Sequence, residues 1–166
     1  MSTHEWMKLL GVPTAPQLKV LEQLQGTEWP RGLIDIVGGP GSGRSTTLAM
    51  CAVWGLINAK TVGILCPMGT APPAGGLVSI IAKHFPLAAG RTLCEAVTLN
   101  GAGRIWLLHG DEEGIDLLLA DTEAVPFLPI PSKAGLAIAA VGSLKEHEAL
   151  SARWCAVAVD QPVLLL

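Results

Sequence analysis

The 166-residue chain is short of charge. Asp, Glu, Lys and Arg supply only 15% of it, while apolar residues reach 50%; soluble domains average about a quarter charged. Its Lys and Arg nowhere gather into a cluster, and the net charge is −3. A chain that grips nucleic acid alone shows a basic patch, so contact with nucleic acid is expected only through a complex. The four cysteines, Cys51, Cys66, Cys94 and Cys155, form no C-x-x-C pair. That removes the basis for a zinc knuckle or a redox motif, and buried free thiols in a reducing cytoplasm are expected instead. His4, His84, His109 and His147 are equally scattered and read as isolated surface or core side chains. A membrane span is not expected either. The longest apolar run, Thr46 to Ala59, falls short of the roughly 20 residues a bilayer requires. Met1 to Trp6 has no basic region ahead of an apolar run, so no secretory signal is read there. No internal repeat is visible.

What is present suits one domain over residues 1–166, with 1–14 a short N-terminal extension. The mean hydropathy is +0.47, and the chain ends Val163-Leu164-Leu165-Leu166. So apolar a surface predicts a homo-oligomer or a protein partner that covers it.

One stretch carries chemistry. Leu33-Ile34-Asp35-Ile36-Val37 reads as a short apolar strand, Gly38-Gly39-Pro40-Gly41-Ser42-Gly43 as a glycine-rich turn, and Arg44-Ser45-Thr46-Thr47-Leu48-Ala49 as a helix start. The spacing is that of a phosphate-binding loop, G-x-x-x-x-G-K-[ST], with Arg44 at the lysine position. Glycines let successive N–H groups turn into one concavity. The helix adds its unpaired N-terminal donors and the positive end of its dipole. Ser45 is placed to put a hydroxyl on Mg²⁺. Arginine is longer and planar, so charge is kept and geometry altered; binding is expected to survive more readily than turnover.

Along the chain, helices are expected at Glu5 to Leu10, Gln17 to Gln25, Arg44 to Asn58 and Leu77 to His84, with a helical turn over Lys145 to Ser151. Strands are expected at Thr61 to Cys66, Gly103 to His109, Ile115 to Ala120, Gly135 to Val141 and Trp154 to Val159. Arg91 to Leu99 fits helix or strand. The pattern gives an α/β class in three layers around a mostly parallel sheet, with room for antiparallel strands at the C-terminal end.

The stretch Val20 to Ala49 resembles the RecA-like group of P-loop ATPases. It holds Leu21, Leu24, Gly26, Pro30-Arg31-Gly32, the strand and the loop. The resemblance implies a RecA-like fold that binds ATP or ADP with Mg²⁺ on Gly38, Gly39, Pro40, Gly41, Ser42, Gly43, Arg44, Ser45 and Thr46. It also implies a second acidic residue at a strand end to hold Mg²⁺. Asp121, closing Ile115 to Ala120, is the candidate, and Asp111 the alternative. Such ATPases carry a glutamate after the strand that follows the loop helix, whereas Pro67-Met68-Gly69 has no carboxylate. Losing general-base help costs roughly 10²–10⁴ in rate. The implied role is accessory, in DNA repair and recombination through protein contacts, in the manner of SulA and ImuA. Gly-Ser-Gly-Arg-Ser-Thr-Thr-Leu-Ala is also similar to secretion and type IV pilus ATPases, whose aspartate and histidine boxes are not recognisable here. A non-catalytic interaction domain is the third reading. Arg91, Arg104 and Arg153 stay unranked as an arginine supplied to a neighbour.

Overall fold

The computed structural model describes residues 10–24, 32–66, 76–84, 92–110, 112–129, 133–155 and 163–166. Helix α1 (Ala15–Leu24) leads to strand β1 (Gly32–Val37), then helix α2 (Arg44–Ile57) and β2 (Thr61–Leu65). Helix α3 (Leu77–His84) precedes β3 (Thr92–Thr98) and β4 (Gly101–Leu108). Strand β5 (Leu117–Ala120), a 3₁₀ turn (Val125–Phe127), β6 (Leu136–Val141), helix α4 (Leu144–Cys155) and β7 (Val163–Leu165) complete it. The strands form one seven-stranded sheet in the order β3-β4-β2-β5-β6-β1-β7. Every pairing is parallel except β3 with β4. The chain is therefore α/β with a mostly parallel sheet. Among the described residues, no helix is long and apolar enough to cross a membrane.

The layers follow from alternation along β1. Ile34 and Ile36 join a core with α1, α2 and α3, while Leu33 and Val37 join the opposite one with the 3₁₀ turn and Leu150 of α4. Buried Gln17, Val20, Leu21 and Leu24 place one stripe of α1 inward, the spacing of an amphipathic helix. Helix α2 is buried from Thr47 to Ile57, as its nearly all-round apolar sequence requires. It lies so close to β4 that a Cβ on Gly103 would come within 2.0 Å of the Leu56 carbonyl oxygen. Thr98 Oγ1 and Asn100 Nδ2 both donate to the Ile57 carbonyl, at 2.9 and 3.3 Å, and close the end of α2.

Several expectations change. The antiparallel pair is not C-terminal: β7 runs parallel to β1, and the antiparallel hairpin is β3–β4 at the other edge. A crossover through α4 delivers β7 in the parallel sense, whereas the two-residue turn at Leu99-Asn100 forces β4 back along β3. Arg91 to Leu99 resolves to strand, over Thr92–Thr98. The strand expected from Trp154 is helix through Cys155, since α4 runs on past Ser151; the rest of that segment lies outside the described residues. So do the expected helix from Glu5, apart from Leu10, and Asp111. Cys51 and Cys94 are buried free thiols, and burial pushes the Cys51 thiol up to about 12.

A polar contact fastens α4 to β1. Asp35 points into the α4 side of the sheet, fully buried, and its Oδ2 meets His147 Nδ1. Ser151 Oγ lies 3.4 Å from Nε2 of the same ring. Asp35 Oδ1 has no hydrogen-bond partner. Burial raises the Asp35 carboxyl above its ordinary value, and the hydrogen bond and charge of His147 work against that rise.

Two outcomes are expected. Gly103→Ala should lower unfolding free energy by about 1–3 kcal/mol, because the clash is with backbone; urea titration reads it as a lower midpoint with unchanged slope. A folded pKa above the unfolded value means that Asp35 favours the fold when protonated. That contribution is complete below about pH 4 and fades as pH rises through the folded pKa. Asp35→Asn should therefore flatten the fall in stability above about pH 4; a steeper fall in the variant would reverse the assignment.

Candidate phosphate site

The loop leaves the sheet between two strands. Gly38 N–H donates to the Val141 carbonyl of β6 at 3.1 Å, continuing the β1–β6 ladder by one residue. Ser42 N–H then donates back to the Gly39 carbonyl at 3.1 Å. Between them stand Pro40 and Gly41, the latter at φ +78°, the residue pattern of a type II turn. A Cβ on Gly38 would lie 2.2 Å from Ser42 Oγ, whereas one on Gly39 or Gly41 would meet nothing within 4 Å. The inner side of the loop is thus closed by Ser42, and the outer side is open.

Gly43 turns the chain into α2. Its φ of +87° places it in the left-handed region, and no side chain caps the helix. The first hydrogen bond of α2 runs from Thr47 N–H to the Gly43 carbonyl, at 2.8 Å. The N–H groups of Arg44, Ser45 and Thr46 belong to the first turn, which has no acceptors within the helix. They stand at the positive end of a 14-residue helix, an arrangement suited to an anion. Ser42 Oγ is buried without a hydrogen-bond partner, a further donor beneath the same loop.

Ser45 and Asp121 meet. Ser45 Oγ donates to Asp121 Oδ2 at 2.7 Å, across 76 residues of sequence. Asp121 follows the last residue of β5, and its Oδ1 accepts the Thr122 N–H at 2.9 Å. Thr122 Oγ1 donates to the Ala140 carbonyl of β6 at 3.2 Å. Strand β6 lies between β1 and β5, so the hydroxyl and the carboxylate reach each other over the end of β6. A hydroxyl and a carboxylate are hard oxygen donors of the kind Mg²⁺ takes, alongside phosphate and water, so these residues fit the ion. Beyond Thr122 a cavity of about 570 Å³ is lined by Val125, Val141, Glu146 and Arg153 among others. Arg153 steadies its wall by donating to the carbonyls of Val125 and Leu128.

Arg44 also reaches β6. Its Nη1 lies 2.8 Å from where a Cβ on Gly142 would stand. The segment after β2 expected to lack a glutamate is described only to Cys66.

Sequence reasoning missed three contributors. Gln17 is buried and donates through Nε2 to Thr47 Oγ1 at 3.2 Å, and Thr47 Oγ1 donates to the Gly43 carbonyl at 2.7 Å. Gln17 Oε1 also accepts the Thr14 N–H at 2.9 Å, while Thr14 Oγ1 accepts the Gln17 N–H at 3.4 Å. Thr14-Ala15-Pro16-Gln17 is thus a capping box, and T-x-x-Q was the readable signal. Ser143-Leu144-Lys145-Glu146 is its counterpart on α4: Ser143 Oγ accepts the Glu146 N–H at 3.2 Å, and Glu146 Oε2 accepts the Gly142 N–H at 2.6 Å. Gly142 itself carried no signal.

Gln17→Ala removes a buried amide that serves both α1 and the loop helix. Stability should fall by about 1–3 kcal/mol, and hydrogen exchange at Thr47 should speed up beyond what global unfolding explains. Exchange that tracks global stability alone would detach Gln17 from the loop.

The chain matches no protein-family model, no curated protein and no solved structure.

Proposed function

We propose that this chain is a RecA-like nucleotide-binding protein that holds ATP or ADP on Gly38 to Thr46, with Mg²⁺ on Ser45 and Asp121. The observation that carries the reading is the 2.7 Å contact from Ser45 to Asp121. Two short side chains, one from the first turn of α2 and one from the end of β5, converge where a nucleotide-bound cation requires them. The sheet order supports it as well. The loop sits at the carboxyl end of a parallel strand, beside the crevice where open α/β sheets take their ligands.

Binding follows from the chain's own groups. The open outer face of Gly39 and Gly41 admits the phosphates close to backbone. The first-turn N–H groups and the dipole of α2 face their charge. Arg44 contributes a fixed cation. Mg²⁺ would neutralise charge between the last two phosphates. After β2 the sequence runs Pro67-Met68-Gly69, with no carboxylate to activate water. Slow hydrolysis is therefore part of the reading. The accessory role in DNA repair or recombination rests on the RecA-like resemblance and the sparse positive charge, and it places the protein in a complex, as a homo-oligomer or with a protein partner.

Equilibrium dialysis with ATP and ADP, with and without Mg²⁺, tests the reading. Wild-type protein should bind, and Mg²⁺ should strengthen ATP binding. Gly43→Val should abolish it, since a branched side chain at φ +87° both strains the loop and meets Gln17. Asp121→Asn should remove most of the Mg²⁺ effect. Turnover by the isolated chain should stay below the typical enzyme range of roughly 1–10³ s⁻¹. Unchanged affinity in a folded Gly43→Val protein would remove the phosphate-loop assignment. Rapid wild-type turnover lost in Asp121→Asn would replace the accessory role with a motor one.

A further inference from the structure

The β3–β4 hairpin turns one face to solvent. Helix α4 and the 3₁₀ turn pack on β1 and β6, while the hairpin stands at the far edge of the sheet. Side chains alternate across a strand. On β3, Cys94 and Ala96 join the core around α2, and Ile105 of β4 does the same. Glu95 and Val97 on β3, with Ala102, Arg104 and Trp106 on β4, therefore face the other way. Glu95, Ala102 and Arg104 are exposed, and Val97 is 86% exposed. Leu99, at the turn, is fully exposed as well.

The charges on this face are arranged in register. Glu95 and Arg104 stand directly opposite each other in the antiparallel pair, and so do Val97 and Ala102. A carboxylate and a guanidinium so placed stabilise a sheet when they pair. Here the guanidinium lies instead over the Trp106 ring, 5.5 Å from its centroid. Among the described residues, neither Glu95 nor Arg104 forms an ion pair. The ring holds the Arg104 cation on the outward face. The hairpin thus presents an anion, a cation and an apolar side chain beside a small one.

That arrangement is its own complement. A two-fold axis lying between β3 and β4 and parallel to both exchanges the two strands, as an isologous contact requires. It sets Glu95 over the partner's Arg104 at two equivalent places, since the register places them opposite. It also sets Val97 over the partner's Ala102, a large side chain on a small one. Sheets stacked this way keep their strands aligned at the roughly 10 Å spacing of face-to-face packing. From that axis the remaining strands, β2 onward, run out on opposite sides, so the α4 layer of neither protomer obstructs the contact. We propose that the outward face of the β3–β4 hairpin is the contact surface of a two-fold dimer of this chain, with Glu95 and Arg104 as its reciprocal ion pairs and Val97 as its apolar centre. The surface does not depend on the nucleotide reading. It gives the homo-oligomer expected from the sparse charge a definite interface, with three strands between β4 and the strand that carries the glycine loop.

Analytical ultracentrifugation of the full chain tests it. A face two strands wide is small for an interface, so dimer mass should appear between about 10 and 100 µM. Wild type that stays monomeric across that range overturns the proposal. Glu95→Arg and Arg104→Glu each bring like charges together at both contacts, and each should weaken the dimer by about a hundredfold or more. An equimolar mixture of the two variants should recover the wild-type dimer mass, because every contact then joins one glutamate to one arginine. Damage within one variant's own fold is not repaired by adding the other, so recovery marks a reciprocal contact between copies. A mixture of folded variants that stays monomeric, or either variant dimerising alone as wild type does, overturns the proposal. Val97→Ser decides the matter if a charge variant does not fold. It changes a side chain the monomer leaves exposed, and it should weaken the dimer by about tenfold, since the loss acts twice across the axis. Unchanged affinity in Val97→Ser overturns the proposed axis.

Discussion

Helix α2 is buried along most of its length, and the rest of the structure depends on how it is held. Its carboxyl end is closed by Thr98 and Asn100 and pressed against Gly103. Its middle packs on the sheet with Gly55 close to Val62. Its amino end receives Gln17 from α1. A helix so enclosed has its axis fixed, and with it the direction of its dipole and its first three N–H groups. The exposed chemistry of the site therefore rests on apolar burial some distance away. In a chain with so few charges, the field at the loop comes from a fixed helix end and not from a basic cluster.

That division explains what the sequence disclosed. The strand, loop and helix from Leu33 to Ile57 were legible because each rests on local rules: an apolar run, glycines at fixed offsets, a helix apolar nearly all round. Asp121 was named through the resemblance, which put it on the same ion as Ser45, and the two side chains do lie in contact. The β3–β4 hairpin was half legible. Thr92 to Thr98 has no decisive period of its own and becomes strand because β4 pairs with it. Its turn is Leu99-Asn100, and Gly101 opens β4 at φ +121°. Trp154 misled because an apolar residue after a polar helical turn looks like the start of a strand, while α4 continues through it.

The unread parts of the site are those that depend on distant residues. Gln17 and Thr47 are 30 positions apart, and each alone is an ordinary polar side chain. Gly142 enters through its backbone N–H, which Glu146 accepts four residues on. A glycine without positive φ gives a sequence reader nothing to weigh. The two capping boxes are the exception. Both T-x-x-Q before α1 and S-x-x-E before α4 mark helix starts locally, and in the first the capping side chain also bonds to the loop helix.

This double use links the buried contact beneath the loop to the site above it. Glu146 and His147 are neighbours on the first turn of α4. Glu146 turns toward Gly142, while His147 turns down to Asp35 on β1. Strand β1 in turn carries the loop itself. The glycine loop and helix α4 thus both hang from β1, the loop through the backbone and α4 through the Asp35–His147 contact. A carboxylate buried with one oxygen unpaired is costly, and a fold that needed only packing here would do as well with an apolar pair. The bond from His147 to Asp35 joins those of Arg153 to the Val125 and Leu128 carbonyls, so polar contacts near both ends tie α4 down beside the packing of Leu150.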